Sequence, residues 1–310
     1  MLSSNELFSL HSLLRAILFA VCAHGNTVCW GQPEFKGAVS VGIEHDSNVA
    51  VDEIDRSSSL SDIGRLFEID LELLFDIGSQ VSGRAFYSLS AVDYAEFKNL
   101  NRQTQYLGAA VNTNLNRMKA GLSYFYTDSQ LNHSNFLKYH RVSPSLSGFT
   151  SKRWFFRGAY VFGDKKFEAI SGRDAKQHGL ETDAYYFWRG LRRYFNMGYT
   201  YRLENSRADR FSYDSHQIKF RAVQRFDAHA GRYSSLELNT RYENRKYDGI
   251  TPSIRERRAD DRIRVVITFQ YPLTASLNWE FYGDYSNFLS NLPSADYEQT
   301  IIGTAFKFSF

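Results

Sequence analysis

Residues 67–75 read "FEIDLELLF", and large apolar side chains alternate with acidic ones through most of this segment. Successive side chains of a β-strand point to opposite faces, so Phe67 and Leu71 share one face while Glu68 and Asp70 share the other. A sheet with one apolar face and one ionic face has to bury the apolar face and expose the ionic face to water. The pattern therefore indicates a sheet that separates an apolar region from water.

The same alternation recurs along the rest of the chain. From about Phe35 onward there are fourteen segments of roughly 10 to 15 residues with period two, separated by polar stretches. The least regular covers residues 137–146, because Pro144 interrupts it. The connections alternate between six short turns and seven longer loops, which is typical of outer-membrane barrels. The sequence therefore predicts an all-β fold, a closed antiparallel transmembrane β-barrel of about 14 strands.

The composition agrees with a membrane barrel and argues against two other classes of protein. The chain has 25 Phe, 20 Tyr and 4 Trp among 310 residues, and such aromatic rings are typical of membrane interfaces. No run of about 18 apolar residues is present, which excludes a helical membrane protein. The net charge is only +3 and both signs are interspersed, so nucleic acid is not predicted as a partner.

The N-terminus predicts the compartment. Residues 13–23 read "LLRAILFAVCA", a short apolar stretch with Arg15 near its front and small residues at its end. This arrangement is typical of a secretory signal peptide, with cleavage expected after Ala23. The predicted organisation is a signal peptide, a short periplasmic segment and the barrel, over residues 1–23, 24–33 and 34–310.

The C-terminus is apolar to its last residue. Residues 300–310 read "TIIGTAFKFSF", and the alternate aromatic residues predict the lipid face of a last strand that closes the ring against the first. This tail also resembles the terminal sorting signal of bacterial outer-membrane proteins, which has a glycine followed by alternate aromatic residues. The matching residues are Gly303, Phe306, Phe308 and Phe310. The resemblance implies recognition by the barrel assembly machinery.

The polar face of the strands predicts the lining of an aqueous lumen. Acidic side chains of the second predicted strand lie nearly opposite basic side chains of the ninth and tenth, which would set a transverse field that orients polar solutes. The alternative is that neighbouring charges pair and stiffen the ring, with Glu237, Arg241 and Glu243 as partners of the basic groups. Both interpretations remain open. The predicted lining residues are Glu68, Asp70, Glu72, Arg153, Arg157, Lys219, Arg221, Arg225, Arg262 and Arg264.

Two predicted outer loops are highly charged. Residues 255–258 read "RERR" and could meet lipopolysaccharide phosphates or a protein partner, although a solvated loop is favoured. The first loop could hold a hard cation, but its spacing matches no calcium loop, and a solvated acidic loop is again favoured. Its acids are Asp46, Asp52, Glu53, Asp55 and Asp62.

The sequence gives little support for a catalytic function. Several histidines have serines near them, but no G-x-S-x-G segment is present to position a nucleophile. The histidines considered are His133, His140, His178 and His216. We predict neither an enzyme nor a bound cofactor or metal.

Residues 41–49 read "VGIEHDSNV", which resembles the "G-x-x-x-D-[SD]-N-V" start of the barrel domain in surface lipoprotein assembly modifier proteins. The resemblance implies export or surface assembly of a lipoprotein or secreted protein across the outer membrane of a Gram-negative bacterium. The family usually has a tetratricopeptide domain before the barrel, and this sequence has only about eleven residues there. A general or solute-selective porin is the alternative, and a barrel enzyme or surface adhesin is a distant one. The expected partners are outer-membrane lipid and lipopolysaccharide, the barrel assembly machinery and a protein cargo.

Overall fold

The computed structural model describes residues 32–310 as a closed barrel of fourteen antiparallel strands that follow one another round the ring. The predicted fold is confirmed, while the predicted signal peptide lies outside the described residues. The barrel strands are β1 (Glu34–Asp46), β4 (Asp62–Ile77), β5 (Val81–Tyr94), β6 (Arg102–Leu115), β7 (Met118–Leu131), β8 (Ser134–Phe149), β9 (Trp154–Phe167), β10 (Ala175–Phe187), β11 (Arg193–Ser206), β12 (Tyr213–Asp227), β13 (Tyr233–Thr251), β14 (Glu256–Pro272), β15 (Leu277–Ser290) and β16 (Tyr297–Ser309).

The connections contain only short elements. Two-residue strands β2 (Ala50–Val51) and β3 (Arg56–Ser57) pair with each other in the connection after β1. Among residues 32–310, no helix has the length and hydropathy needed to cross a membrane. The 3-10 helices are η1 (Asp52–Ile54), η2 (Lys98–Leu100), η3 (Ser171–Arg173), η4 (Asp209–Phe211) and η5 (Pro293–Ala295).

The ring closes at the last residue of the chain. Strands β1 and β16 pair from Ala38 opposite Ser309 to Asp46 opposite Ile301. Beyond this ladder, the amide of Phe310 donates to the Gly37 carbonyl and the Gly37 amide donates back, each at 2.9 Å. In hydrocarbon an unpaired backbone group costs several kcal/mol, so this additional pair of hydrogen bonds stabilises the seam between β1 and β16.

The two faces of the sheet differ as the alternation predicts. Val41 is 51% exposed and Phe306 is 47% exposed, whereas Ser40 and Ala305, one residue away from each, are 4% and 3% exposed. We call the first face the outer wall and the second the lumen face. The end of the barrel where β1 begins and β16 ends is the inner end, and the opposite end is the outer end.

The six inner turns and seven outer connections follow the predicted order, but several outer loops are shorter than predicted. Strands β7 and β8, for example, are joined by Asn132 and His133 alone, with φ angles of 48° and 63°. Two consecutive left-handed residues form the tight hairpin turn whose twist matches the flanking strands. The paired strands therefore continue outward beyond the length that a membrane requires.

Pro144 lies within β8 without ending it. The regular register between β8 and β9 passes from Val142 to Ser145 and skips the proline, which has no amide hydrogen to donate. The hydroxyl of Ser143 donates to the Tyr160 carbonyl at 3.0 Å. A side chain thus supplies a local hydrogen bond on the strand that the proline interrupts, and the least regular predicted strand is complete in the structure.

Gly303 is required by a close approach of a tyrosine ring. A Cβ atom at this position would lie 2.3 Å from Cζ of Tyr282, whose hydroxyl donates to Glu44 at 2.6 Å. We expect Gly303→Ala to displace that ring and to lower the free energy of unfolding by about 1–3 kcal/mol. Urea unfolding in detergent tests this, with Gly158→Ala as the control because no atom lies within 4 Å of its Cβ position. Equal stability of the two variants would contradict it.

Candidate functional site

The connection between β1 and β4, residues 47–61, folds back into the outer end of the barrel; we call it the lumen loop. Val49 and Val51 in this loop are each 1% exposed, although most of the loop is polar. They belong to an apolar cluster with side chains of β5, β8 and β9. Because β9 lies six strand steps from β1 in the ring of fourteen, the loop reaches nearly the opposite wall. The members of the cluster on β5, β8 and β9 are Val92, Tyr94, Phe136, Leu137 and Phe167.

The tip of the lumen loop is held by an ionic contact that we call the latch: Asp55, Arg173 and Arg258. Both terminal nitrogens of Arg258 on β14 donate to the Asp55 carboxylate, at 2.8 and 2.9 Å. Arg173, in η3, pairs with the same carboxylate and also donates to the Glu53 carbonyl at 3.0 Å. A two-pronged arginine–carboxylate contact is among the strongest polar interactions in proteins.

The latch is buried and continues into β14. The side chain of Arg258 is 2% exposed and that of Asp55 is 6% exposed. Arg258 also donates to Asp260 at 2.7 and 2.8 Å, and Asp260 accepts further bonds from Arg262 at 2.9 Å and Ser290 at 2.7 Å. Arg258 therefore lies between two carboxylates, and the loop tip is tied to β14, three strand steps from β1 round the ring.

The ionisation of Asp55 should make the latch insensitive to mild acid. Burial raises the pKa of Asp55, but the hydrogen bonds and charges of Arg258 and Arg173 outweigh it and lower the pKa to about 2. A depressed carboxyl pKa adds stability that is fully present above the unfolded value near 4 and is lost as pH falls towards 2. We expect conductance in planar bilayers to stay constant from pH 8 to about 4 and to rise only below that. A rise between pH 7 and 5 would contradict this assignment.

The base of the lumen loop is fixed by residues 46–49. Asp46 is fully buried, and it accepts from Tyr94 at 3.0 Å and from Gln299 at 2.9 and 2.8 Å. Asn48 donates to the Glu298 carbonyl at 3.0 Å and accepts from the Ser59 amide at 2.9 Å. These bonds join β1, β5, β16 and the far end of the loop. The short "DSNV" segment thus turns the chain from the wall into the lumen.

A cavity of about 100 Å³ lies between the lumen loop and the wall formed by β8 to β13, with Asp55 and Arg173 in its lining. The ionic groups that surround it are paired across strands. Lys165 donates to Glu204 at 2.6 Å, and Arg202 lies 3.2 Å from the buried Glu243. Ion pairs between strands therefore hold this wall together. This agrees with the alternative interpretation of the lumen charges, in which they pair and stiffen the ring.

The predicted acidic lining residues lie on the lumen face of β4. Asp70 accepts from Ser88 at 2.8 Å and lies 3.5 Å from Lys307, and Glu72 lies 3.3 Å from Arg84. Glu68 is half-buried on the same face of β4. Each of these three acids keeps some contact with water, as a role in ion passage requires.

The predicted basic lining residues mostly face acids on neighbouring strands. Lys219 and Arg157 both contact Asp183, at 2.8 and 3.3 Å, and Arg221 contacts Glu237 at 2.7 Å. A uniform basic wall is therefore absent from β9 to β13, because acids alternate with the bases there. The transverse field that we predicted is reduced by this pairing.

The remaining predicted lining residues have different surroundings. Arg262 is buried against Asp260, and Arg264 pairs with Asp284 on β15. Arg225 lies exposed near the inner end of β12. Arg153 lies in the turn before β9 instead of in a strand, and it donates to the Tyr186 hydroxyl at 3.4 Å on the outer wall. A turn residue is free of the strand alternation, which explains this difference.

A family profile described as surface lipoprotein assembly modifier matches residues 45–301. The chain belongs to this family. The match begins beside Asp46, at the segment that turns the chain into the lumen, and it continues through nearly the whole barrel. A comparison with curated protein sequences gives no match.

Solved structures similar to this family member are outer-membrane barrels. An anion-selective porin from Comamonas acidovorans has a TM-score of 0.53 at 8% identity, and 91% of this chain aligns with 100% of that one. OmpT of Vibrio cholerae has a TM-score of 0.53 at 7% identity, covering 92% and 100%. OmpF of Salmonella typhi, in complex with daunomycin, has 0.50 at 12%, covering 89% and 97%. At such identities the similarity shows the fold alone. Family and fold together place the protein in the Gram-negative outer membrane.

The structure corrects two predictions about the outer end of this surface lipoprotein assembly modifier barrel. The acidic first loop is only partly solvated: Glu53 is exposed, but Asp46 and Asp55 are buried on protein donors, and Asp62 accepts from the Glu96 and Phe97 amides at 2.9 and 2.8 Å. The segment 255–258 was predicted to be a solvated outer loop, but β14 begins at Glu256, so Arg258 lies inside this strand.

Within residues 32–310, no group of three or more His, Cys, Asp or Glu residues could hold a metal ion.

Proposed function

We propose that the barrel is a gated conduit of the outer membrane through which a lipoprotein or secreted protein reaches the cell surface. The observation that carries this proposal is the lumen loop, held across the outer mouth by the buried latch. Breaking a buried ion pair costs several kcal/mol unless another group replaces one partner. A cargo that offers such a group could open the mouth, whereas small solutes could not. Membership of a family described as surface lipoprotein assembly modifier supports this choice.

A solute-selective porin is the second candidate. The lumen face of β1, β4 and β15 favours it, since Glu44, Glu68, Asp70, Glu72 and Glu280 give this side an acidic excess. Rings of charged side chains are a common basis of ion selectivity. In this reading the lumen loop narrows the passage permanently instead of opening.

Assembly of the barrel is proposed to depend on its last strand. Phe306 and Phe308 lie on the outer wall of β16, Phe310 directly follows this strand, and Gly303 lies on its lumen face against Tyr282. We propose that the barrel assembly machinery recognises this strand before it pairs with β1. Outer-membrane lipid, including lipopolysaccharide, is the proposed partner of the outer wall.

Two assays separate the conduit from the porin. In the first, cells expressing a candidate lipoprotein with and without the barrel are treated with external protease, and the conduit predicts surface exposure only with the barrel. In the second, proteoliposomes with the purified barrel are placed in sugar solutions, and the porin predicts rapid swelling. Rapid swelling together with barrel-independent surface exposure would contradict the conduit.

A further inference from the structure

Four neighbouring strands, β8 to β11, have aromatic side chains on the lumen face at the inner end of the barrel. The lumen face of such barrels is ordinarily polar, because water covers it. We call these side chains the aromatic patch: Phe149, Phe155, Tyr185, Phe187 and Tyr194. Each lies an even number of positions from a residue of the same strand that is buried on the lumen face: Ser143, Ala159, Asp183 and Asn196.

The five rings form one continuous surface. Phe149 packs edge-on against Phe155, with centroids 5.0 Å apart, and it reaches Phe187 across β9 at 6.0 Å. Phe155 packs on Tyr185 at 5.8 Å, and Phe187 packs on Tyr194 at 5.7 Å. The ring of Phe149 is nevertheless 58% exposed, so the rings do not bury one another completely. An exposed apolar surface of this kind indicates a binding site.

The aromatic patch is small and has clear limits. Towards the outer end it stops at Arg157 and Asp183, which lie on the same face and pair at 3.3 Å. Three strand spacings by two residues measure about 14 Å by 7 Å, which is room for two or three side chains of a partner. On several other strands the lumen positions near the inner end are polar: Ser82, Asn112, Gln270 and Asn278.

The inner turns around the aromatic patch are basic. The six inner turns of the barrel contain six lysine or arginine residues and no aspartate or glutamate, whereas five of the seven outer connections contain acids. The turns over residues 150–153 and 188–192 directly border the patch and contain four of these bases. The six are Arg117, Lys152, Arg153, Arg189, Arg192 and Arg232.

Acids near this rim leave a large positive excess. The inner ends of β7 to β13 comprise residues 116–119, 149–157, 185–194 and 221–233, and they contain eleven lysines and arginines but one acid, Asp227. Asp227 lies 4.0 Å from Arg192, and both side chains are more than half exposed. Farther out on the lumen face, Asp183 and Glu237 contact arginines, but even these leave most of the bases unmatched. The rim therefore attracts acidic groups towards the inner mouth.

The rings and the rim together fit an extended peptide in which apolar side chains adjoin acidic ones. A carbohydrate would need hydrogen-bonding groups beside the rings, and three of the five rings are phenylalanines. The rings also pack on one another at an angle, so they present edges more than flat faces. A membrane lipid would meet the outer wall, whereas the aromatic patch faces the lumen.

We propose that the aromatic patch and the basic turns beside it form an entry site for a polypeptide at the inner mouth. The site would bind an extended segment in which two or three apolar side chains adjoin acidic ones. The apolar side chains would lie on Phe149 and Phe187, and the carboxylates would accept from Lys152 and Arg189. This proposal rests on the proposed function as a protein conduit, and it names the chemistry of the cargo segment that the barrel receives first.

Binding of a labelled synthetic peptide to the detergent-solubilised full barrel tests this, measured by fluorescence anisotropy. The peptide has a leucine between two phenylalanines, followed by three glutamates. One comparison peptide has serines in place of the apolar residues, and the other has lysines in place of the glutamates. We expect the first peptide to bind at least about tenfold more tightly than either comparison peptide.

Two variants of the barrel test the two parts of the site. Phe149→Ser with Phe187→Ser removes the centre of the aromatic patch and should weaken binding at least about tenfold. Lys152→Gln with Arg189→Gln changes exposed turn residues, so it stays informative if the first variant fails to fold. It should weaken binding and reduce the dependence on salt. The control, Ser79→Glu with Gln80→Glu, changes the net charge equally in the inner turn after β4 and should bind within about twofold of the native barrel.

Unchanged affinity of either folded site variant, or equal binding of the acidic and lysine peptides, would overturn the proposal. Stronger displacement of the labelled peptide by an acidic oligosaccharide than by unlabelled peptide would also overturn it, because the site would then fit a sugar. This assay uses no cargo, so its outcome is separate from that of the surface-exposure assay. Barrel-dependent surface exposure without peptide binding would refute the entry site alone and leave the conduit in place.

Discussion

Replacing Asp55 with alanine is expected to raise the open probability of the barrel in planar bilayers by a factor of about ten to one hundred. The carboxylate of Asp55 is the point where Arg258 and Arg173 hold the lumen loop. Without this carboxylate, Arg173 loses its ion-pair partner, whereas Arg258 still pairs with Asp260. Removing one partner of a buried ion pair typically costs about 3–5 kcal/mol, and the remaining carboxylate reduces this to about 2 kcal/mol.

Glu53 provides the matched control for this experiment. It lies two residues from Asp55 on the same loop, but its side chain is exposed and only its backbone carbonyl binds Arg173. Glu53→Ala removes the same charge from the lumen loop without breaking the latch. We therefore expect native conductance from it. If Asp55→Ala and Glu53→Ala had equal conductance, loop charge and not the latch would control the mouth.

The apolar anchor limits the size of that effect. Val49 and Val51 remain buried in the Asp55→Ala variant, so the loop should open intermittently and should not leave the lumen for good. Records of single channels would then show brief large openings on a low baseline. A steady increase in conductance without such openings would indicate that the loop tip had moved slightly while the anchor still crossed the mouth.

The wall of the barrel could be predicted from the sequence because a local rule determines it. Phe67, Glu68 and Ile69 reveal their faces through their immediate neighbours, since hydrocarbon on one side and water on the other impose period two on every strand. The alternate aromatic residues Phe306, Phe308 and Phe310 predicted a lipid-facing closing strand for the same reason.

The latch could not be predicted in this way, because it joins residues that are distant in sequence. Asp55 and Arg258 are 203 positions apart, and only the closed ring and the inward fold of the loop bring them together. One local signal was present. Val49 and Val51 are alternate apolar residues in a loop that is mostly polar, and such alternation indicates one buried face.

The sequence predicted which charged side chains face the lumen, but it did not predict which of them form ion pairs. Alternation placed Lys219 and Arg221 on the polar face, but it could not show that Asp183 and Glu237 on adjacent strands would neutralise them. Register between strands determines these pairs, and register depends on turn lengths and strand ends that sequence patterns define poorly. Among the charges that were predicted to set the transverse field, the acids of β4 are neutralised least by ion pairing.

Reversing the charge of that acidic side is expected to change ion selectivity. In the Asp55→Ala background, replacing Glu68, Asp70 and Glu72 with lysine should move the reversal potential towards anion selectivity. The change converts three negative charges into three positive ones beside Lys307 and Arg84, which already contact Asp70 and Glu72. The positive cluster would attract anions into the passage and exclude cations.

Neutral variants separate charge from shape in this test. Glu68→Gln, Asp70→Asn and Glu72→Gln keep the side-chain volumes, so they should give a reversal potential between that of the Asp55→Ala barrel and that of the lysine variant. The shift should also decrease at high salt, because ions screen the charges within a few ångströms at about 1 M. An unchanged reversal potential in a conducting barrel would show that ions pass along the opposite wall, where bases and acids alternate and selectivity is expected to be weak.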